Sequence, residues 1–321
     1  MITRRNVLRA AAGGALLPLG GVLPSLHAQT NPASVAPAAA PGATLGVIRG
    51  ITLAVGGLRE AEAAWTQYMG YKLIKRGKIS RATAKSWQAP ALAGKAYVVL
   101  GPASGEPTYL RFVDQPIPQG WDRAGTFGWN NVEITVQNSD ELYERLQGSP
   151  FKLLSKPNEV PTFPYLKSFG ASGPSGERLL MTWIKEKRPD LAEAKSFVGR
   201  CYFVTQASPD LQGSLDWYKA TFSNPHSPIR QLPNVKLAVV TLKDGAKIQL
   251  DQHPPGGRPR DRLPGGLPPG LAIVSFECSS FDAHAGKFLS PPVKSDFDAF
   301  RGREVATVVG PAGELMELIK T

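Results

Sequence analysis

The chain carries one turn-and-strand pattern twice, as Gly173-Pro-Ser-Gly-Glu-Arg-Leu-Leu-Met181 and as Gly310-Pro-Ala-Gly-Glu-Leu-Met-Glu-Leu318. In both copies a Gly/Pro turn leads directly into a mostly apolar run, which indicates a β-strand. Each copy also closes a block that opens with a short apolar strand. Internal repetition of this kind predicts the architecture before any residue is assigned a function.

Working outward from these turns, the chain divides into four similar segments. The first reads as a strand at 51–55, a helix at 58–69, and strands at 70–74, 96–100 and 109–113. The other three segments begin with the apolar strands 132–136, 201–205 and 272–276. Strand, helix and further strands in each segment predict an α+β fold built from four βαβββ units.

This arrangement resembles the vicinal oxygen chelate superfamily, which includes glyoxalase I, bleomycin-resistance proteins and extradiol dioxygenases. The resemblance rests on the strand 50–55 with Leu58 and Tyr68-Met-Gly70, on the helix 216–222, and on the turn and strand 310–318. It implies that the units pair into two domains, 46–188 and 197–321, whose curled mixed sheets each surround a cleft. The charged stretch 185–196 is expected to connect the two halves.

In the family, metal ligands come from a first-strand residue, usually His, and from a last-strand residue, usually Glu. The resemblance places the equivalent first-strand positions at Gly50, Asn131, Arg200 and Ile273. It places the last-strand positions at Arg111, Leu180, Gln249 and Glu317. No first strand contains a histidine. We therefore predict no cofactor, with a divalent metal as the less favoured alternative.

The remaining polar residues at these positions form the predicted site. Arg111, Asn131, Arg200 and Gln249 are candidate ligand-binding residues, and Glu317 is the candidate general acid or base. Because guanidinium groups bind carboxylate or phosphate oxygens in a planar fork, the arginines suggest an anion-binding pocket. Its expected aromatic lining is Trp87, Trp129, Tyr202, Phe203 and Trp217. The equally open alternative is that the arginines face solvent or pair with Glu133, Asp251 and Glu317.

Outside the first 28 residues the chain contains only three histidines, His226, His253 and His284. None of them occupies a predicted ligand position. If the protein does hold a metal, His253, Asp251 and Glu317 are the only plausible ligand set.

The amino terminus predicts export. Arg4 and Arg5 precede an apolar run, and the small residue Ala28 suits a cleavage site, so residues 1–28 match a twin-arginine signal peptide. A membrane anchor is the alternative, but the run is short for a span and contains Pro18 and Pro24. Residues 29–45, rich in Ala and Pro, are interpreted as a disordered linker. The protein is expected to be periplasmic or secreted, without stable membrane insertion after cleavage.

Composition narrows the function further. A net charge of +11 suits anionic ligands, but no Lys/Arg run alternates with aromatic residues as a nucleic-acid site would require. The two cysteines, Cys201 and Cys278, provide no zinc site, and two buried thiols are favoured over a disulfide. No nucleophile motif or phosphate-binding loop occurs.

Three functional hypotheses follow from the sequence. The leading one is an exported monomer or homodimer that binds a small aromatic or anionic molecule, and either sequesters it or acts as a metal-independent lyase or isomerase. The second is a metal-dependent dioxygenase, lyase or glyoxalase-type enzyme with unusual ligands. The third is a structural or partner-binding role in the cell envelope. Whether the protein is an enzyme stays open, because one fold hosts unrelated chemistries.

Overall fold

The computed structural model describes residues 42–161, 163–253, 257–300 and 302–321, which form four consecutive strand-rich units. The first contains β1 (Leu45–Val55), α1 (Leu58–Gln67), β2 (Lys72–Lys78), α2 (Arg81–Ser86), β3 (Ala96–Gly101) and β4 (Tyr109–Asp114). The second contains β5 (Gly128–Val136), α3 (Ser139–Arg145), β6 (Lys152–Leu153), β7 (Asn158–Val160), β8 (Phe163–Ser172) and β9 (Arg178–Ile184). The third contains β10 (Val198–Ala207), α4 (Leu211–Phe222), β11 (Arg230–Leu232), β12 (Val235–Thr241) and β13 (Lys247–Gln252). The fourth contains β14 (Gly270–Cys278), a 3-10 helix at Phe281–Lys287, β15 (Val293–Lys294), β16 (Glu304–Val309) and β17 (Leu315–Lys320).

The strands form two curled mixed sheets. The first sheet has the order β15-β16-β17-β14-β1-β4-β3-β2 and joins the first unit to the fourth. The second sheet has the order β11-β12-β13-β10-β5-β9-β8-β6, with β7 paired to β8, and joins the second unit to the third. The α+β fold of four units in two sheets, expected from the sequence, is therefore confirmed.

The pairing of the units differs from the expected pairing of neighbours along the chain. In the first sheet β1 lies antiparallel to β14, and in the second sheet β5 lies antiparallel to β10. The predicted domains 46–188 and 197–321 therefore separate strands that share a sheet. The physical reason is that, within each unit, one edge of the first strand has no partner strand. Two such edges can pair with each other whatever their distance along the chain.

The two faces of each sheet have different neighbours, because side chains alternate across a strand. In β1, Ile51 and Leu53 face a large apolar core that also contains Trp65 of α1 and Tyr218 of α4. Thr52, between them in the sequence, points to the opposite side, which we call the inner face. The predicted site residues lie mainly on these inner faces.

Side-chain caps begin three of the helices. The hydroxyl of Ser80 accepts a hydrogen bond from Thr83 N at the start of α2. Asn138 and Asp210 cap α3 and α4 in the same way. Each cap satisfies backbone N–H groups that have no partner within the helix, so the helix begins at a defined residue.

The repeated turns of the sequence have one geometry. Gly173 N donates to Glu177 O at 2.8 Å, and Gly310 N donates to Glu314 O at 2.8 Å. In both turns the glutamate side chain folds back over the first glycine, where an added Cβ would lie 1.9 Å from a carboxylate oxygen. The first glycine is therefore required by this close approach.

The two turn glutamates also connect the sheets. Glu177, in the second unit, accepts a hydrogen bond at 3.0 Å from Trp65 Nε1 of α1, which belongs to the first unit. Glu314, in the fourth unit, accepts one at 3.4 Å from the hydroxyl of Tyr218 of α4, which belongs to the third. The repeated motif thus holds each sheet to a helix of the other.

Two predictions concern the ends and the cysteines. The predicted signal peptide 1–28 and most of the linker lie outside the described residues, but the linker's predicted end at residue 45 is corrected. Ala43 and Leu45 are buried, and Asn224 exchanges hydrogen bonds of 3.1 and 2.9 Å with the Leu45 backbone. Cys201 and Cys278 are buried and unbonded. None of the described helices is long and apolar enough to cross a membrane.

Candidate functional site

An ion pair occupies the inner face of the first sheet. Arg111 of β4 lies beside Thr52, and Glu317 of β17 lies beside Ser275. Arg111 Nη2 is 3.1 Å from Glu317 Oε2, and its Nε donates to Thr52 Oγ1 at 2.9 Å. Ser275 Oγ donates to the same glutamate oxygen at 2.7 Å. These four residues form a hydrogen-bonded group where the family's metal ligands were expected.

Aromatic side chains cover this ion pair. Trp87, which follows α2, donates Nε1 to Glu317 Oε1 at 2.9 Å. The Arg111 guanidinium carbon lies 4.5 Å from the centre of the Trp87 ring and 4.0 Å from that of Phe297, and the two rings are parallel within 5°. The cavity beside Arg111 has a volume of only about 10 Å³. This cavity is too small for an organic ligand.

Neither Arg111 nor Glu317 is placed as predicted for ligand binding or catalysis. Both Glu317 oxygens accept hydrogen bonds, and the side chain is 0% exposed. Burial lowers the pKa of Arg111, and the charge and hydrogen bonding of Glu317 oppose that shift. For Arg111 the alternative of an ion pair with Glu317 is the arrangement found.

The second sheet carries its carboxylate on a different strand. Glu133 of β5 lies beside Leu180 of β9, just as Ser275 lies beside Glu317 in the first sheet. Glu133 Oε1 accepts hydrogen bonds from Thr182 Oγ1 at 2.5 Å and from the Tyr202 hydroxyl at 2.7 Å. The sequence assignment missed Glu133 because it took the first-strand position as Asn131. The alternation of polar and apolar residues from Asn131 to Thr135 was the available signal.

Asn131 and Gln249, which the sequence assigned to different domains, lie on one inner face of the second sheet. Asn131 is level with Thr205, and Thr205 is level with Gln249 on the next strand. Gln249 Nε2 donates to Asp251 Oδ1 at 2.8 Å. Asn131 Oδ1 and Asp251 Oδ2 are buried and have no hydrogen-bond partner among the described residues. Burial raises the pKa of Asp251 to about 7, against a smaller lowering by Gln249.

Arg200 does not join them. It lies at the start of β10, where its backbone carbonyl accepts a 3.4 Å hydrogen bond from Thr135 Oγ1. Its guanidinium is 2.8 Å from an Asp244 oxygen and 3.6 Å from a Glu106 oxygen. The predicted position is wrong because β10 is irregular between Val198 and Cys201, and again between Cys201 and Phe203, so its register with β5 shifts at Arg200.

The alternative metal ligands are not brought together either. Asp251 and His253 lie in or directly after β13 of the second sheet, whereas Glu317 lies in the first sheet. Within the described ranges, no three His, Cys, Asp or Glu side chains are grouped in a way that could hold a metal ion. His226 contacts the Ser227 carbonyl, and His284 packs against Phe222.

The predicted aromatic lining divides between several places. Trp87 lies on the inner face of the first sheet, and Tyr202 and Phe203 pack together in a small cluster with Ala192. Trp129 instead donates Nε1 to the Leu315 carbonyl at 2.8 Å, a bond between the two sheets. Trp217 packs against the main core from α4.

A larger cavity lies at the edge of the second sheet where β9 begins and where β10 and β13 end. Its volume is about 750 Å³, within the range of small-molecule sites. We call it the arginine cavity. Its wall comes from the loop 122–127, from Arg178 at the start of β9, and from the ends of β10 and β13. The lining residues are Asp122, Arg123, Ala124, Gly125, Thr126, Phe127, Asn130, Arg178, Ala207, Ser208, Pro209, Gln252, His253 and Gly257.

Arg123 and Arg178 make this cavity positively charged. Arg123 Nη1 donates to the Asn130 carbonyl at 2.7 Å, while its buried Nη2 has no partner among the described residues. Burial lowers the pKa of Arg123 to about 9, and repulsion from Arg178 and Arg260 adds to the shift. Sequence reasoning missed both lining arginines. Arg178 directly follows the repeated Gly-Pro-x-Gly-Glu turn, and that position was the available signal.

Comparison with known proteins supports the fold. No protein-family model matches the sequence, and no curated protein matches it by sequence. Glyoxalase I from Zea mays is similar in structure, with a TM-score of 0.59, 16% identity, and coverage of 85% of this chain and 92% of the maize chain. A Bacillus subtilis protein provisionally described as a dioxygenase is similar too, with a TM-score of 0.60, 13% identity, and coverage of 87% and 86%. At such identities the likeness concerns the fold alone, and it confirms that this chain has the vicinal oxygen chelate fold expected from its sequence.

Proposed function

We propose that the protein binds a small organic anion in the arginine cavity. The observation that carries this proposal is a cavity of about 750 Å³ lined by two arginines, one of which has a buried N–H group without a partner. A buried, unpaired donor is costly unless something binds it, and a carboxylate or phosphate oxygen matches a guanidinium well.

The contrast between the two sheets supports the same location. On the inner face of the first sheet, Trp87, Phe297 and the Arg111–Glu317 pair pack together beside a cavity of only about 10 Å³. In the arginine cavity, Phe127 and Pro209 provide apolar surface beside Arg123 and Arg178. An anion with an organic body would use both kinds of surface.

Calorimetric titration with benzoate tests this proposal. The wild-type protein and Arg76→Gln should give saturable binding, whereas Arg123→Gln should weaken it by about tenfold and Arg178→Gln by less. Arg76 is a matched control, because it is an exposed arginine on edge strand β2 and pairs with Glu62. Equal affinity in all four proteins would contradict the proposed location.

A metal-independent lyase or isomerase activity is a second candidate, because Asp251 can carry a proton. Asp251 lies level with Ala207, which lines the arginine cavity, and its Oδ2 is buried without a partner. A carboxyl with a pKa of about 7 can exchange protons near neutral pH. On this hypothesis Asp251 takes the acid–base role that the sequence assigned to Glu317. If it is correct, Asp251→Asn abolishes turnover of a bound carbon acid while the affinity for benzoate persists. Turnover by Asp251→Asn would disprove it.

We further propose that the protein acts after export, since residues 1–28 match a twin-arginine signal. The double variant Arg4→Lys/Arg5→Lys keeps the charge but removes the arginine pair. It should leave the protein in the cytoplasmic fraction, whereas Arg9→Lys should be exported normally. Export of the double variant would contradict this route.

A further inference from the structure

Three arginines lie close together around the arginine cavity. Arg123 and Arg178 line it, and Arg260 stands behind its wall, where Nε donates to Thr126 Oγ1 at 3.1 Å. Thr126 is itself a lining residue. The mutual repulsion is large enough that Arg178 and Arg260 both contribute to lowering the pKa of Arg123. Burial alone lowers the pKa of Arg260 to about 10.

Little negative charge balances these arginines. None of the three forms an ion pair with a described carboxylate within 4 Å. Asp122 and Glu177 are the acidic residues that favour the charged form of Arg123. Asp122 is exposed and accepts a hydrogen bond from Ala124 N, so solvent screens its charge.

Glu177 contributes less than a free carboxylate would. Its oxygens accept hydrogen bonds from Trp65 Nε1 at 3.0 Å and from Ser175 N at 2.9 Å. Burial raises the pKa of Glu177, although its hydrogen bonds and the charge of Arg123 oppose that shift. The group of arginines is therefore left with excess positive charge.

Two guanidinium nitrogens also lack acceptors. Arg123 Nη2 and Arg260 Nη2 are both buried, and neither has a hydrogen-bond partner in the described part of the chain. Buried polar groups in folded proteins nearly always have partners, so the unpaired nitrogen of Arg123, which lines the arginine cavity, indicates a missing ligand or water there. One carboxylate can bind one guanidinium through two oxygens, which would leave the second lining arginine unneutralised.

We propose that the ligand of the arginine cavity carries two negative charges, as a dicarboxylate or a phosphate monoester on an organic body. This inference rests on the proposed function and specifies its ligand class. One oxyanion would bind Arg123, and the second charge would be neutralised by Arg178. The cavity is far larger than inorganic phosphate alone requires, which leaves space beside Phe127 for the organic part.

Titration of the full exported protein with three probes tests the charge requirement. Benzoate and phthalate share one ring and differ by one carboxylate, and phenyl phosphate presents the alternative dianion. At constant ionic strength, and at a pH where phthalate and phenyl phosphate are doubly charged, at least one dianion should bind about tenfold tighter than benzoate. Which of the two dianions binds tighter identifies the chemical class.

The variants locate the second charge. Arg178→Gln should reduce the advantage of the dianion over benzoate to about twofold or less, while Arg76→Gln should preserve it. Arg178 is suited to substitution, because its side chain makes no hydrogen bond or ion pair with a described residue. Arg123→Lys, which keeps the charge but not the planar fork, should weaken all three probes.

The possible failures are distinguishable. If phthalate and phenyl phosphate bind no tighter than benzoate, and Arg123→Gln still weakens benzoate, the inference is wrong and the proposed function stands. If no probe binds, or if the arginine variants bind all probes as the wild type does, both fail. A dianion advantage that survives Arg178→Gln also overturns the inference.

Discussion

Arg111 and Glu317 form an ion pair of 3.1 Å on the inner face of the first sheet, with side chains that are 4% and 0% exposed. They come from β4 and β17, strands of the first and fourth units that meet only because these two units pair. The position that holds a metal ligand in the resembled family thus holds a carboxylate bound by arginine, serine and tryptophan. We therefore expect these residues to stabilise the first sheet.

Breaking this pair should destabilise the protein strongly. Glu317→Gln or Arg111→Met should each lower the free energy of unfolding by about 3–5 kcal/mol, because each leaves its partner buried and unpaired. The double variant should lose less than the sum of the two. Urea unfolding measures the effect, and Arg76→Gln is the control, since the exposed Arg76–Glu62 pair should contribute about 1 kcal/mol or less. A loss below about 1 kcal/mol for Glu317→Gln would show that the pair is not structural.

The repeated turns offer a second test of stability. In Gly310→Ala the new methyl group would lie 1.9 Å from Glu314 Oε1, so the carboxylate must leave its hydrogen bonds with Ala312 N and Tyr218. We expect a loss of about 1–3 kcal/mol in thermal or urea unfolding. Gly286→Ala is the matched control, because no heavy atom lies within 4 Å of its added Cβ. Equal stability of the two variants would refute the role of the glycine.

The same turns explain how far the sequence predicts the fold. Their geometry depends only on residues within one turn, such as Gly310 to Glu314. The repeated sequence motif was therefore sufficient to predict the strands that follow the turns. The pairing of β1 with β14 is a contact between distant segments, and nothing local in either strand specifies its partner. The β10 irregularity is likewise a property of the paired strands, and it displaced Arg200 from its predicted position.

The candidate site was less predictable than the fold for a related reason. The arginine cavity is assembled from the loop at Arg123, the start of β9 at Arg178, and the ends of two strands of the third unit. Strand periodicity gives no information on how such loops approach one another. Asn131 and Gln249 share an inner face only because β5 pairs with β10, a pairing of units that the sequence did not predict.

Stability should fall as pH rises from about 4 to 8. The pKa of Asp251 is about 7 in the folded protein against an ordinary value of 3.8, and that of Glu314 is about 8 against 4.5. Between the unfolded and folded pKa values of each group, the folded state binds more protons than the unfolded state. As pH rises through this range, each group therefore lowers the free energy of unfolding by up to about 1.4 kcal/mol per pH unit. This loss of stability is absent below the lower pKa of each group and constant above the higher one.

Urea unfolding at several pH values measures this slope. Asp251→Asn should flatten it between about pH 4 and 7, and Glu314→Gln between about pH 4.5 and 8. Asp216→Asn, which alters an exposed carboxylate on α4, should leave the slope unchanged. A wild-type stability that rises with pH through this window would contradict the raised pKa values of these two carboxyl groups.

Removing a cavity arginine should stabilise the ligand-free protein. Arg178 repels Arg123, whose pKa is lowered partly by that charge, so Arg178→Gln should raise the free energy of unfolding by a few tenths of a kcal/mol up to about 1 kcal/mol. Sodium phosphate should stabilise the wild type more than sodium chloride at equal ionic strength, because an anion bound only to the folded state shifts the unfolding equilibrium. Arg178→Gln should show a smaller difference between the salts, while Arg76→Gln should behave as the wild type. If Arg178→Gln instead lowers stability without ligand, the side chain supports the fold, and its positive charge is not held there for a ligand.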